Sequence, residues 1–118
     1  MRTTLTIEQS QKFSSIGLSS YFPDNIAIST GQGEGWREIY YIRFFLTDLL
    51  AILPKDLGND GYDTLCIETQ SDGNNYFWRV YYSEHDVDTN FCEEQLIDAL
   101  FELVVWCIKS GYIKTDKI

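Results

Sequence analysis

His85 is the only histidine in the chain, and it stands among Glu84, Asp86 and Asp88. Imidazole and carboxylate groups are competent ligands for divalent cations, so this run is the first place to look for metal chemistry. Asp86, Asp88 and Asn90 reproduce the first three oxygen positions of a calcium loop, but Phe91 stands where the loop needs glycine and Ile97 where it needs glutamate. A second near miss begins at Asp56: Asp60 and Gly61 fit the turn, whereas Gly58 and Ile67 replace two ligands. Both runs read as solvated acidic turns, and the expectation is no metal and no cofactor. Nucleophilic catalysis needs a base beside Ser, Thr or Cys, and any His-based triad here must share His85. Cys92 is its nearest thiol partner in sequence, at a place where packing is the default role. Gly31, Gly33 and Gly35 lack the spacing of a phosphate-binding turn and precede an extended segment instead of a helix. The chain therefore carries no set of residues that a known reaction requires, and the expectation is that it is not an enzyme.

The aromatic residues are the stronger candidates. Eight Tyr, seven Phe and three Trp occur in 118 residues. Two aromatic-rich segments, residues 36–44 and 76–83, have the composition of strands, and a strand buries one face only. Trp36, Tyr40, Trp78 and Tyr82 are therefore candidates for a partner-binding sheet face, with Arg37, Arg43 and Arg79 interleaved. A second candidate surface lies on the last helical segment. At 100° per residue, Leu96, Ile97, Leu100, Leu103, Val104, Cys107 and Ile108 fill one arc, Phe101, Val105 and Trp106 lie on its shoulders, and Glu94, Gln95, Asp98, Glu102 and Lys109 form a narrow polar stripe. That apolar arc is wider than one sheet face needs, which marks Phe101, Val105 and Trp106 as a place for a protein partner or a second copy.

The elements that must position these residues follow from local signals. Thr6 and Gln9 form a capping-box pattern ahead of Ile7, Phe13 and Ile16, with Gly17 as a stop. Residues 18–35 read as a loop with a brief extended piece at 26–28, and residues 36–44 as a strand. Thr47 opens a two-turn helix that Pro54 closes, since the residue before proline is pushed out of the helical region. Residues 62–69 and 76–83 flank a turn centred on Asp72-Gly73 and form an antiparallel hairpin whose register the pattern leaves open. Asn90 and Glu93 resemble a second capping box, so the last helix is expected over residues 90–110, ending at Gly111. The expected fold is a single α+β domain over residues 1–118: an antiparallel sheet of about three strands with helices on one face, in the order α-β-α-β-β-α.

Eighteen acidic and nine basic residues give a net charge of −9. Phosphate-backbone binding needs clustered Lys or Arg, so direct nucleic-acid binding is not expected. Cys66, Cys92 and Cys107 are odd in number, widely spaced and without a CxxC pair, which reads as reduced thiols. The N-terminal residues lack a basic start and an apolar core of signal length, and no run of about 18 apolar residues occurs. The expectation is a cytoplasmic protein that does not enter a membrane.

The segments LTIEQSQKF, FFLTDLLAILP, YDTLCIET, YFWRVYYS and EEQLIDALFELVVWCIKSGYI, in that order, resemble a group of small uncharacterised proteins encoded by prophages and other mobile elements of gut bacteria. The resemblance covers most of the chain, and its motifs are capping and core patterns that carry no catalytic residue. It implies a non-enzymatic accessory or protein-interaction protein of a mobile element. An acidic decoy that occupies the nucleic-acid site of a host protein is the alternative suggested by the charge, and an enzyme of unknown type is the third reading.

Overall fold

The computed structural model describes residues 1–16, 18, 26–30, 38–58, 61–86 and 89–115, with backbone only for strand residues 26–30 and 38–42. Eight elements follow one another: α1 (Ile7–Ser15), β1 (Ile26–Thr30), β2 (Glu38–Ile42), α2 (Leu46–Ile52), β3 (Leu65–Ser71), β4 (Tyr76–Tyr82), β5 (Phe91–Glu93) and α3 (Leu96–Lys109). The class is α+β with a three-stranded antiparallel sheet, and the α-β-α-β-β-α succession is present with two short strands added to it.

Those added strands correct two expectations. The extended piece read at 26–28 is the start of a strand, Ile26–Thr30, that continues into the segment read as loop and pairs antiparallel with β2, so the strand at 38–42 belongs to a separate two-stranded sheet instead of the main one. The third strand of the main sheet is instead Phe91–Glu93, paired with Trp78, Arg79 and Val80 of β4. Residues 90–95 are therefore not helical, and α3 starts at Leu96 with Gln95 as its N-cap. Asn90 does not cap it: its side-chain oxygen accepts from Arg79 Nε at 2.5 Å. Gly17, Gly31, Gly33, Gly35, Trp36, Arg37, Asp60 and Asp88, singled out in the sequence, lie outside the described residues.

Where local chemistry is strong, the elements follow it. Thr6 Oγ1 accepts from Gln9 N–H at 3.1 Å and Gln9 Oε1 accepts from Thr6 N–H at 3.0 Å, a reciprocal cap for α1. α2 begins one residue before Thr47; its first turn is held by Asp48, whose carboxylate accepts from Phe45 N–H at 2.8 Å. At the end of α3, Gly111 adopts φ +85, Tyr112 N–H donates to the Cys107 carbonyl and Gly111 N–H to that of Ile108, the paired bonds of a Schellman stop.

The β3–β4 register places Leu65 opposite Tyr82, Ile67 opposite Val80 and Thr69 opposite Trp78. These residues share the face covered by α3, against which Val80 and Tyr82 are fully buried. Cys66, Glu68 and Gln70 stand with Tyr81, Arg79 and Phe77 on the opposite face. There Arg79 pairs with Glu68 at 2.8 Å and lies 3.8 Å from the Tyr81 ring centroid. The core gathers Phe13, Leu18, Phe44 and Leu49 with Ile97, Leu100, Leu103 and Val104, so α3 supplies its inner arc as the wheel predicts.

Candidate functional site

The shoulder of α3 that the sequence marks as surplus is one wall of a groove of about 450 Å³. Phe101, Glu102, Val105, Trp106 and Lys109 come from α3, Lys12 from α1 and Phe91 from β5. Positions 101, 102, 105, 106 and 109 recur at the three- and four-residue spacing that puts side chains on one helical face. The volume falls in the range of ligand or anchor-residue sites, roughly 300–1,000 Å³.

The aromatic walls are held by their neighbours. Phe101 stacks on the buried Phe13 ring at 4.8 Å, and Lys12 Nζ lies 5.9 Å from the Phe101 centroid. Trp106 stacks on Tyr112 at 5.6 Å and meets the edge of His85 at 5.6 Å. Rings fixed in this way lose little rotamer freedom when a ligand arrives.

Glu102 is the unusual group in the groove. Partial burial, a hydrogen bond to Glu93 and the charges of Glu93 and Asp98 push its carboxyl up to about 7. Its protonated form donates to Glu93 of β5, so near neutrality the wall exchanges a carboxylate for a hydrogen-bond donor. Lys12 and Lys109 supply positive charge at the same groove, within a chain of opposite overall sign.

Of the seven partner-binding candidates, Phe101, Val105 and Trp106 are thus brought together. Trp78 is half-buried on the helix-covered face, opposite Glu93 and outside the groove lining. Tyr82 is a correction. It has no exposed surface, its hydroxyl donates to the Pro54 carbonyl at 2.7 Å, and Cys107 Sγ lies 3.9 Å away. Burial drives both groups away from ionisation, the Tyr82 phenol upward and the Cys107 thiol up to about 11. Trp36 lies outside the described residues, and Tyr40 is described by backbone alone.

Lys12, Phe91, Glu102 and Lys109 are the groove residues that sequence reasoning did not select. Glu102 and Lys109 read as ordinary polar-stripe residues, and Phe91 as part of a helix. The missed signal was the aromatic residue directly after Asn90, which suits a short strand as well as a first helical turn.

The residues with chemical potential are placed elsewhere. His85 Nδ1 lies 2.7 Å from Asp63 Oδ2, a close contact without hydrogen-bond geometry. Asp63 also accepts from Glu84 N–H at 3.0 Å, while the His85 carbonyl accepts from Thr89 Oγ1 at 2.6 Å. This set latches the connection between β4 and β5. Cys92 is exposed and has Asn90 and Gln70 as its side-chain partners, at 3.6 and 3.8 Å. Among the described residues no group of three or more His, Cys, Asp and Glu is placed to hold a metal ion, and no helix is long and apolar enough to cross a membrane. No protein-family model, curated protein or solved structure matches the chain.

Proposed function

We propose that this chain is a non-enzymatic interaction protein whose groove between α1, β5 and α3 receives an apolar side chain of a partner protein. The observation that carries the reading is the convergence of Phe91, Phe101, Val105 and Trp106 around one accessible hollow flanked by Lys12 and Lys109. An anchor flanked by carboxylates matches that pattern: the ring walls desolvate the anchor, and the lysines receive the acids. Contact-range pairing with Lys12 and Lys109 operates despite the overall negative charge, because at physiological salt that charge is screened beyond about 8 Å. The mobile-element setting comes from the sequence resemblance. A reducing cytoplasm fits the three cysteines, all free.

Six of the described carboxylates are engaged in local structure, which weighs against the decoy reading. Asp48 caps a helix, Asp56 and Asp72 accept from turn amides, Asp63 accepts from Glu84 N–H, Glu68 holds Arg79 and Asp98 holds Arg2 and Gln9. Acids committed to separate local structures do not form a row that imitates phosphates.

Val105→Asp puts a charge into the groove and tests the reading. Partners captured by the wild-type protein are sequenced, and their binding segments are titrated as peptides against both forms. The expected result is a segment with an apolar anchor and neighbouring acids, bound at least about tenfold more weakly by the variant. Equal binding by both forms, or a segment without such an anchor, overturns the proposal.

A further inference from the structure

The outer edge of β3 carries an inference independent of the groove. β3 ends the sheet order β3-β4-β5. The Thr64 carbonyl accepts from Ser83 N–H on the β4 side, whereas Leu65 N–H points the other way and donates to the Lys55 carbonyl at 3.0 Å. Backbone polarity alternates along a strand, so Cys66, Glu68 and Gln70 turn their N–H and C=O groups towards β4, and Ile67, Thr69 and Ser71 turn theirs away. Beyond Leu65, no described backbone group pairs with those outward groups. A free row of this kind is a template for another strand, and proteins usually block it with lysine, proline or a bulge. β3 contains neither Lys nor Pro, its one charge, Glu68, is held by Arg79 at 2.8 Å, and Ile67 is 39 % exposed.

We propose that this edge is a homodimer interface, in which β3 of two copies pairs antiparallel about a two-fold axis at Thr69 and joins two three-stranded sheets into one. The sequence of the edge selects that register. An axis at Ile67 or Glu68 requires Leu65, whose N–H is already engaged by Lys55, and the axis at Glu68 also sets two glutamates against each other. An axis at Gln70 sets Glu68 against Asp72 of the second copy. With the axis at Thr69, the outward groups of Ile67 meet those of Ser71, and Thr69 meets its own counterpart. Glu68 then stands beside Gln70, which donates to it. Threonine pairs and neutral-to-acid pairs are favourable neighbours across strands, while like charges are not. A second copy fits the edge because the edge is complementary to itself in one register, the condition for a two-fold interface.

Light scattering at about 100 μM, above the micromolar dissociation constants that small interfaces support, is expected to give twice the 13.7 kDa monomer mass. Thr69→Pro removes one outward N–H at a position where an edge strand tolerates proline, and should halve that mass. Register is read by oxidation in a Cys66→Ser, Cys92→Ser background. Thr69→Cys alone should link to its own counterpart, because hydrogen-bonded antiparallel residues lie about 5.5 Å apart at Cα, within disulfide reach. Ile67→Cys should link only when Ser71→Cys is also present. These cross-links decide the question even if Thr69→Pro fails to fold. A monomeric wild type, a dimer that survives Thr69→Pro, or links in another register overturns the proposal. Val105→Asp separates the two surfaces: the dimer mass should stay unchanged, and its loss would assign dimerisation to the groove instead.

Discussion

Glu102 and Tyr82 show how little a residue's type says about its state. The sequence offers Tyr82 as a partner-binding candidate and Glu102 as a polar-stripe residue, yet Tyr82 is a core residue that satisfies the Pro54 carbonyl. The Pro54 carbonyl is only partly buried, so this bond contributes about 1 kcal/mol, in line with an ordinary hydrogen bond. Glu102 is polar-stripe by type but sits against Glu93, and burial with that neighbour raises its carboxyl from the ordinary 4.5 to about 7. The folded protein therefore binds this proton more tightly than the unfolded chain does, and stability falls as pH rises from about 4.5 through about 7. Glu102→Gln keeps the donor and removes the ionisation. It should match the wild type in melting temperature below pH 4.5 and exceed it above pH 7. The advantage should be on the order of 1 kcal/mol, reduced from the full shift because the group is partly solvated. Melting curves of both forms across this range check it; an advantage independent of pH would show that ionisation of Glu102 is not the cause.

At the scale of elements, the parts of the fold that local chemistry determines were legible and the parts that partners determine were not. Thr6 and Gln9 cap α1 as their spacing predicts, Pro54 follows the end of α2, Asp72-Gly73 turns the hairpin, and the inward arc of α3 is the buried one. Thr6→Ala should remove about 1 kcal/mol, a fall of roughly 3–6 °C in melting temperature, because the Gln9 N–H loses its side-chain acceptor. The same substitution at Asn90, whose capping pattern is not used as a cap, should leave α3 helicity by circular dichroism unchanged. The three residues of β5 are too few for periodicity to register, and their extended state comes from pairing with Trp78, Arg79 and Val80. The Asn90-to-Glu93 pattern misleads for the same reason: Arg79, brought by β4, takes the oxygen that would have capped a helix. The groove was half legible. Phe101, Val105 and Trp106 share a helical face by spacing, but Lys12 and Phe91 join them only through the packing of α1 and β5.

For the whole molecule, the relevant quantity is the balance between local ion pairs and the summed field of the charges. Arg2 pairs with Asp98 and Arg79 with Glu68, both at partly exposed sites where such pairs contribute about 1 kcal/mol or less. Against them stands an excess of nine negative charges in one chain of 118 residues, and two such chains brought together in a dimer repel further. Raising sodium chloride from 0.1 to 1 M shortens the screening length from about 10 to about 3 Å and weakens both effects, but repulsion summed over many separated charges loses more than two contact pairs do. At pH 8, where Glu102 has lost its proton, melting temperature should therefore rise by a few degrees over this interval, equivalent to about 1 kcal/mol or less. The monomer–dimer equilibrium should move towards the dimer over the same interval, since the β3 edge joins through backbone hydrogen bonds and neutral neighbours. Chloride is the anion of choice because sulfate would strengthen apolar burial on its own account. Sedimentation and melting curves in the same salt series read the two terms separately. A fall in melting temperature would mean that the ion pairs outweigh the repulsion within one copy. Salt-induced dissociation would mean that the subunits meet through opposite charges, which the Thr69-centred pairing does not contain.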